Sequence, residues 1–358
     1  MFGSLFCRHC EDLLRLVVIA RTQDEAIQKV ACRHCEDVGR SNPVLYSILG
    51  ILDCFTFGSQ WRKVYEDWFA MTLRRMIKID CLINFLFDVY VYIVDLINLF
   101  TMLTQEELDR YNRQIILPDF GIEAQEKLKN ASVLIIGVGG LGSVSSTYIV
   151  ASGIGKLGLV DIDTVSVSNL QRQVLYRQDE VGKSKVLLAK QSLERLNQNT
   201  EIIAYNQYFD KDNAIDIIKD YDVIIDGTDN FKARYLINDV CVGLGKPFVY
   251  ASIGDYFGQV SVFNLTENSC NYRDLFPDYN TLKNKENTNK GVMGVLPSIA
   301  ASIQTNDAIK IITNTGDILN NKILSFNILN NEFNTLKLKP NPVRREESVC
   351  RFLGLREN

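Results

Sequence analysis

One stretch constrains this chain more than any other. Ser132-Val133-Leu134-Ile135-Ile136 runs without a break into Gly137-Val138-Gly139-Gly140-Leu141-Gly142. A continuous apolar run of this kind predicts a strand buried on both faces. The glycines have the spacing G-x-G-x-x-G, and a helix-compatible stretch, Ser143 to Ala151, follows. Glycines so placed permit a tight turn and let backbone amides approach a phosphate. The helix behind them offers unpaired N–H groups and a partial positive charge to the anion. A second predicted strand, Lys156 to Val160, ends at Asp161. That acid lies about 20 residues beyond the last glycine, where a ribose-hydroxyl acceptor is expected. Strand, turn, helix and strand stand in order, which lifts the motif above an isolated glycine match. It specifies an adenine nucleotide with ribose and phosphates, and leaves NAD, FAD, S-adenosylmethionine and ATP open.

The chain around this motif changes character near Thr101. Before it, Cys, Phe and Tyr abound without a glycine motif; after it, short β-branched runs alternate with amphipathic stretches. The alternation predicts an α/β fold, a doubly wound, Rossmann-like and mostly parallel sheet. Late in the chain, Lys322–Leu329 and Glu332–Lys339 flank Asn330-Asn331, which reads as a hairpin that Gln259–Phe263 would join. The sheet therefore acquires a C-terminal antiparallel extension. Residues 104–340 are the expected working domain, 1–103 a segment of unknown role and 341–358 a polar tail.

Lys plus Arg number 39 against 43 Asp plus Glu, a net charge of −4. Coating a nucleic acid needs a basic excess, so that class is excluded. Two histidines leave little room for His-based metal or acid–base chemistry. Nine cysteines in so long a chain are no disulfide scaffold. Cys7/Cys10 and Cys32/Cys35 stand in a repeated Cys-Arg-His-Cys-Glu-Asp, and their four thiolates could hold one zinc. No nearby glycine frees amides toward the sulfurs, and a duplicated stretch that binds nothing is the plainer reading. Residues 77–103 are apolar, yet Asp80, Asp88 and Asp95 interrupt them. Each would cost about 2.5–3.5 kcal/mol at a bilayer centre, which argues for a helix packed on protein rather than a membrane span, with peripheral membrane contact as the alternative. No secretory signal opens the chain, and a cytoplasmic or plastid-stroma location is expected.

The residues beyond Asp161 discriminate among nucleotides. Ser168-Asn169-Leu170-Gln171-Arg172 follows, and an oxidoreductase has no evident need of it. A triphosphate site needs cations: Arg172 offers a planar fork and Lys185 a compact charge at the start of the next helix. Tyr221–Asp226 reads as another buried strand ending in Gly227-Thr228-Asp229-Asn230. Strand carboxyl ends form the ligand crevice of such sheets. Asp229 would therefore face the glycine loop, where Mg²⁺ on a triphosphate would sit. A helix N-cap is the structural alternative for Asp229. Upstream, Thr104-Gln105-Glu106-Glu107 is a capping box.

In order along the chain stand Arg110-Tyr111-Asn112-Arg113-Gln114, the glycine loop, Ser168–Gln173, Gly227–Asn230 and Gly291–Pro297. With these motifs the region 104–340 resembles the ubiquitin-activating-like adenylyltransferases. Within them it is most similar to the molybdopterin-synthase type, with the thiamine-pathway type as near kin. The resemblance implies that ATP contacts Gly137, Gly139, Gly140, Gly142, Asp161, Ser168, Asn169, Leu170, Gln171, Arg172, Lys185, Asp229 and Asn230. It implies catalytic roles for Asp229, Arg172, Lys185 and Arg113. Arg113 would reach into the neighbouring subunit's site, so the unit is a homodimer. The substrate would be the C-terminal Gly-Gly of a small ubiquitin-like sulfur-carrier protein, adenylated with release of pyrophosphate.

The chain departs from that family in two places. Relatives hold a structural zinc with two Cys-x-x-Cys pairs. Here the first reads Cys270 with Asp274 in the second thiolate's place, and the last pair is Cys350 at most. Four good ligands are wanting, so no zinc is expected there. The mobile cysteine of many relatives is absent from 285–290, which removes the usual thiolate for a second step. Two other classes, an NAD-dependent oxidoreductase and a non-catalytic carrier-binding scaffold, are the alternatives.

Overall fold

The computed structural model describes residues 103–282 and 291–355, all within the unit Thr101–Asn358. The two N-terminal Cys-x-x-Cys pairs, the apolar run up to Met102 and the segment 285–290 lie outside the described residues.

Helices α1 (Gln105–Ile115) and α2 (Gly121–Asn130) lead into β1 (Ser132–Ile136) and α3 (Gly140–Ala151). Next come β2 (Lys156–Val160), α4 (Lys185–Leu196), β3 (Glu201–Tyr205), α5 (Ala214–Ile218), β4 (Val223–Asp226) and α6 (Phe231–Leu244). Strands β5 (Phe248–Gly254) and β6 (Phe257–Phe263) follow, then short helices α7 (Tyr272–Leu275) and α8 (Tyr279–Leu282). The chain ends with α9 (Leu296–Thr313), β7 (Lys322–Asn327), β8 (Glu332–Lys337) and α10 (Pro342–Phe352).

The strands form one sheet in the order β3-β2-β1-β4-β5-β6-β7-β8. The first five are parallel. The last three add antiparallel, with Lys322–Asn327 and Glu332–Lys337 as the hairpin arms, each two residues shorter than the pattern predicts. Alternation along β1 explains its unbroken apolar run. Val133 and Ile135 pack with Leu128, Ile149 and Leu193 on one face. Leu134 and Ile136 pack with Tyr235, Ile237 and Phe248 on the other. Helices cover both faces, so neither can be polar.

Strand β1 pairs with β2 on one side and β4 on the other. Sequential connections therefore leave in opposite directions, and a crevice opens at the carboxyl ends of these strands. Helix α1 is held by the predicted capping box, in which Thr104 Oγ1 accepts from the Glu107 amide and Glu107 accepts from the Thr104 amide. Tyr111 accepts from Asn197, and Gln114 bonds Gln125 and the Ser152 carbonyl.

The stretch expected as a polar tail contains α10, capped by Asn341. Three of its five charges find partners: Arg344, Glu347 and Arg351 meet α7 or one another. Ser348 is buried against Asn238, and the Phe352 ring occupies the space where a side chain on Gly243 would stand. Pattern alone reads such a charged segment as solvated, because its partners are distant in sequence. Among the described residues no helix is long and apolar enough to cross a membrane.

Candidate active site

The glycine loop turns at Gly137, whose φ is +88°. A side chain there would collide with the carbonyl of Gly227 at the end of β4, so two glycines let the ends of β1 and β4 close together. Gly142 serves packing instead: a Cβ would strike the Gly137 carbonyl oxygen. Helix α3 starts at Gly140, three residues earlier than its pattern predicts, with Gly139 as a cap that offers no side chain. Its first amides are thus left to the crevice.

That crevice is a cleft of about 840 Å³. It brings together Gly137, Gly139, Gly140, Asp161, Asn169, Arg172, Lys185, Asp229 and Asn230 of the sequence-predicted set. A second hollow, of about 540 Å³, runs beside edge strand β3 and includes Lys190, Glu194 and Glu201. It touches none of the predicted residues, and its mixed charges converge on nothing.

Asp161 sits at the tip of β2. Its carboxylate accepts from the amides of Val138 and Asp163, both at 2.7 Å. Burial pushes its pKa up, against the pull of those hydrogen bonds and of the Lys185 charge. Lys185 opens α4 and is only 5% exposed; its Nζ lies 3.0 Å from Asp163 Oδ2. A buried ammonium with one carboxylate partner keeps two N–H donors for other acceptors. Arg172 donates from Nη1 to the Ser168 carbonyl at 2.9 Å, and its stem lies beside Gly140. The neighbouring Gln173 is buried in the cleft wall with its Oε1 unpartnered.

Asp229 is exposed at the cleft, and no hydrogen bond or ion pair involves it among the described residues. It is not the cap of α6. Asn230 takes that role, accepting from the Ala233 amide at 2.9 Å. Magnesium needs one or two carboxylates plus phosphate oxygens and water, so a single free acid here fits it.

Five predicted residues stand outside the cleft lining: Gly142, Ser168, Leu170, Gln171 and Arg113. Ser168 and Gln171 are exposed beside it, and Leu170 packs against the core. The 168–171 segment shapes the loop: Asn169 closes a 3₁₀ turn back on Ser166, and Gly294 packs against Gln171. Arg113 lies exposed in the last turn of α1, away from the cleft of its own protomer.

Pattern reading missed Arg234 and Asp226. Asp226 is fully buried at the end of β4 and pairs with Arg234 Nε at 3.1 Å. Its other oxygen accepts from the Thr228 amide and hydroxyl. Arg234 also donates to the Thr228 carbonyl at 2.8 Å and to Ser252 at 3.3 Å. This network fixes the loop that carries Asp229. The only sequence signal was an acid closing an otherwise apolar strand. Gln304 of α9 braces the same place, donating to the Asp226 and Val249 carbonyls.

Cys241 is buried in α6 as expected, and burial pushes its thiol pKa far up. Burial also raises the Cys270 thiol, to about 11. Neither suits a thiolate at neutral pH. The residues around Cys270, Asp274 and Cys350 do not fit the zinc that relatives would hold there. Asp274 spends its oxygens on the amides of Asn271 and Asn341, and among the described residues no three His, Cys, Asp or Glu side chains gather as a metal site.

Residues 111–348 match the ThiF family. A probable molybdopterin-synthase adenylyltransferase of Porphyra purpurea is 43% identical over 66% of this chain and 63% of its own. A sulfur carrier protein adenylyltransferase of Thermus thermophilus is 42% identical over 67% of this chain and 90% of its own. Among solved structures, MccB of E. coli with ATP superposes with a TM-score of 0.53 at 25% identity, over 62% of this chain and 67% of that one. The chain thus spans less than two thirds of the Porphyra relative.

Proposed function

This chain belongs to the ThiF family, and on that premise we propose that it adenylates the C-terminal glycine of a small ubiquitin-like sulfur-carrier protein, using ATP and releasing pyrophosphate. One observation carries the reading. Asp161, Arg172, Lys185 and Asp229 come from four separate stretches and meet in one cleft at the glycine loop. Hydride transfer gives no role to a free acid beside the phosphates, whereas a triphosphate with Mg²⁺ does. The names of the relatives and the ATP complex of MccB point the same way.

The carrier's glycine carboxylate is already ionised near neutral pH, so no general base is needed. One of its oxygens bonds to the α-phosphorus, and the bond to the α,β-bridging oxygen breaks, leaving pyrophosphate. Asp161 would hold the ribose, and the loop amides the α-phosphate. Arg172 and Lys185 would stabilise charge on the leaving phosphates. Asp229 would hold Mg²⁺, which when bound neutralises triphosphate charge.

The carrier's approach is supported by the antiparallel end of the sheet. Ser252 of β5 and Phe257 and Gln259 of β6 line the cleft. By register, the face bearing Phe257 and Gln259 continues through Asn327 and Ser325 of β7 to Glu332, Asn334 and Leu336 of β8. Phe257 and Leu336 are exposed on it. An extended Gly-Gly tail lying on this face would enter the cleft beside the glycine loop.

The test is ATP–pyrophosphate exchange with and without Gly-Gly-tailed proteins. Exchange should require such a protein. Asp229→Ala should lower turnover by about 10²–10³, the usual cost of one stabilising contact. An Ala variant as active as the wild type removes the magnesium role, and NADH binding without ATP binding removes the whole reading.

A further inference from the structure

The two segments on which the family's zinc would act, 270–274 and the C-terminal stretch, are joined here by something else. Arg273 of α7 is 1% exposed and forks onto Asp239 of α6, with Nε–Oδ1 at 2.9 Å and Nη2–Oδ2 at 2.6 Å. Its remaining nitrogen, Nη1, lies 3.5 Å from Glu347 of α10. The guanidinium stands over the rings of Tyr235, at 4.9 Å, and Tyr279, at 5.3 Å. From α10, Arg351 pairs with Glu347 at 3.3 Å and covers Tyr279 from 4.7 Å. Arg344 donates to the Asp274 carbonyl at 3.0 Å. Asn238 of α6 donates to Ser348 at 3.0 Å and accepts from the Tyr272 amide at 2.7 Å. One arginine thus ties three helices that are far apart in sequence.

The same helices reach the cleft. Tyr235, under Arg273, donates from its hydroxyl to the Phe276 carbonyl at 2.6 Å. The Phe276 ring meets Phe231 edge-on at 5.6 Å. Tyr272 packs on Tyr250 at 5.4 Å, and Tyr250 lies under Arg234 at 5.5 Å. Phe231 and Arg234 are the first turn of α6 and line the cleft beside Asp229 and Asn230. A buried fork held against two mutually packed rings has few alternative positions, so it transmits placement rather than absorbing it.

We propose that Arg273 is the centre of a metal-free clip that seats α10 on α6 and α7, and that through Tyr235 and Phe276 it positions the α6 wall of the nucleotide cleft. Arg273 touches no substrate; it is a positioning residue. The proposal rests on the adenylation reading only where activity is measured, and its structural half stands apart from it.

Two variants test it in the full-length protein. Arg273→Lys keeps the charge and loses the fork. Glu347→Gln removes one charge at the accessible edge of the clip and leaves the Asp239 fork intact. Amide hydrogen exchange should quicken at least tenfold in both 342–352 and 231–236 for Arg273→Lys, and in 342–352 for Glu347→Gln. Exchange that quickens in 342–352 alone in the lysine variant overturns the positioning role. If the lysine variant does not fold, an unchanged 342–352 in Glu347→Gln overturns the clip. In pyrophosphate exchange, Arg273→Lys should raise KM for ATP about tenfold with kcat within threefold. A loss of folded protein alone would lower apparent kcat at unchanged KM, and that result would also refute positioning. EDTA should leave amide exchange in 342–352 of the wild type unchanged, and a chelator-induced quickening there would show that metal, not Arg273, closes the clip. If wild type neither binds ATP nor exchanges pyrophosphate, the adenylation reading fails while the exchange pattern still decides the clip.

Discussion

Asp161 accepts two backbone amides, one of them from the glycine loop, and in the proposed reading it would also accept a ribose hydroxyl. Burial raises its pKa above the ordinary 3.8. The sign of the consequence follows. The folded carboxyl keeps its proton at a pH where the unfolded chain has lost it, so its ionisation opposes folding above that raised value. Acidification through this window relieves the fold of that cost and removes an acceptor from the site. ATP affinity, measured by equilibrium dialysis, should therefore fall on the acid side at a pH above 3.8. Asp161→Asn should bind ATP more weakly at neutral pH and show a flat acid limb. A limb that persists in the Asn variant would assign the titration to another group.

At the scale of elements, the cap of α6 stands at a position that the proposed reading also assigns to the nucleotide site. Asn230 satisfies the Ala233 amide, so a change there mixes helix stability with binding. Asn230→Ala should cost about 1 kcal/mol of stability, the usual value of a lost cap. Asn230→Asp separates the two effects. Aspartate caps as well as asparagine does, yet adds an anion beside the triphosphate. Its thermal midpoint should match the wild type while its KM for ATP rises severalfold; equal KM would place Asn230 in the helix alone. The assignment of the cap to Asn230 rather than Asp229 was not legible in the sequence. Both residue types cap helices, and only the backbone path shows which side chain turns inward. The start of α3 was misread for a related reason. Glycine has no side chain to signal a helix, and the loop's last turn is already helical.

At the scale of the molecule, α1 is bound to the rest of the chain by Tyr111, Gln114 and Glu107, while Arg113 is exposed and is not part of the cleft lining. We propose the homodimer that the family resemblance implies, with Arg113 completing the partner's site. It predicts complementation. Arg113→Ala and Asp229→Ala proteins, each nearly inactive alone, should regain up to about a quarter of wild-type exchange when mixed and allowed to exchange subunits. No recovery, with mixed dimers demonstrated, would mean that each site is complete within one chain.

The strand–glycine–helix unit, the acid at the end of its second strand and the late hairpin were legible in the sequence, because each depends on neighbours within a few residues or on a period of two or 3.6; that Arg172 and Lys185 reach the same cleft took the fold. Strand alternation, a tight turn and a capping box are local consequences of residue type. What the tertiary structure alone decided lies in contacts between distant parts of the chain. Asp226 reads as a stray acid until Arg234 and Gln304 are found around it. The charged C-terminal segment reads as solvated until Arg273 and Asp239 are found beneath it. Whether a buried charge is tolerated depends on a partner's position in space, and that position is set by the packing of the whole sheet.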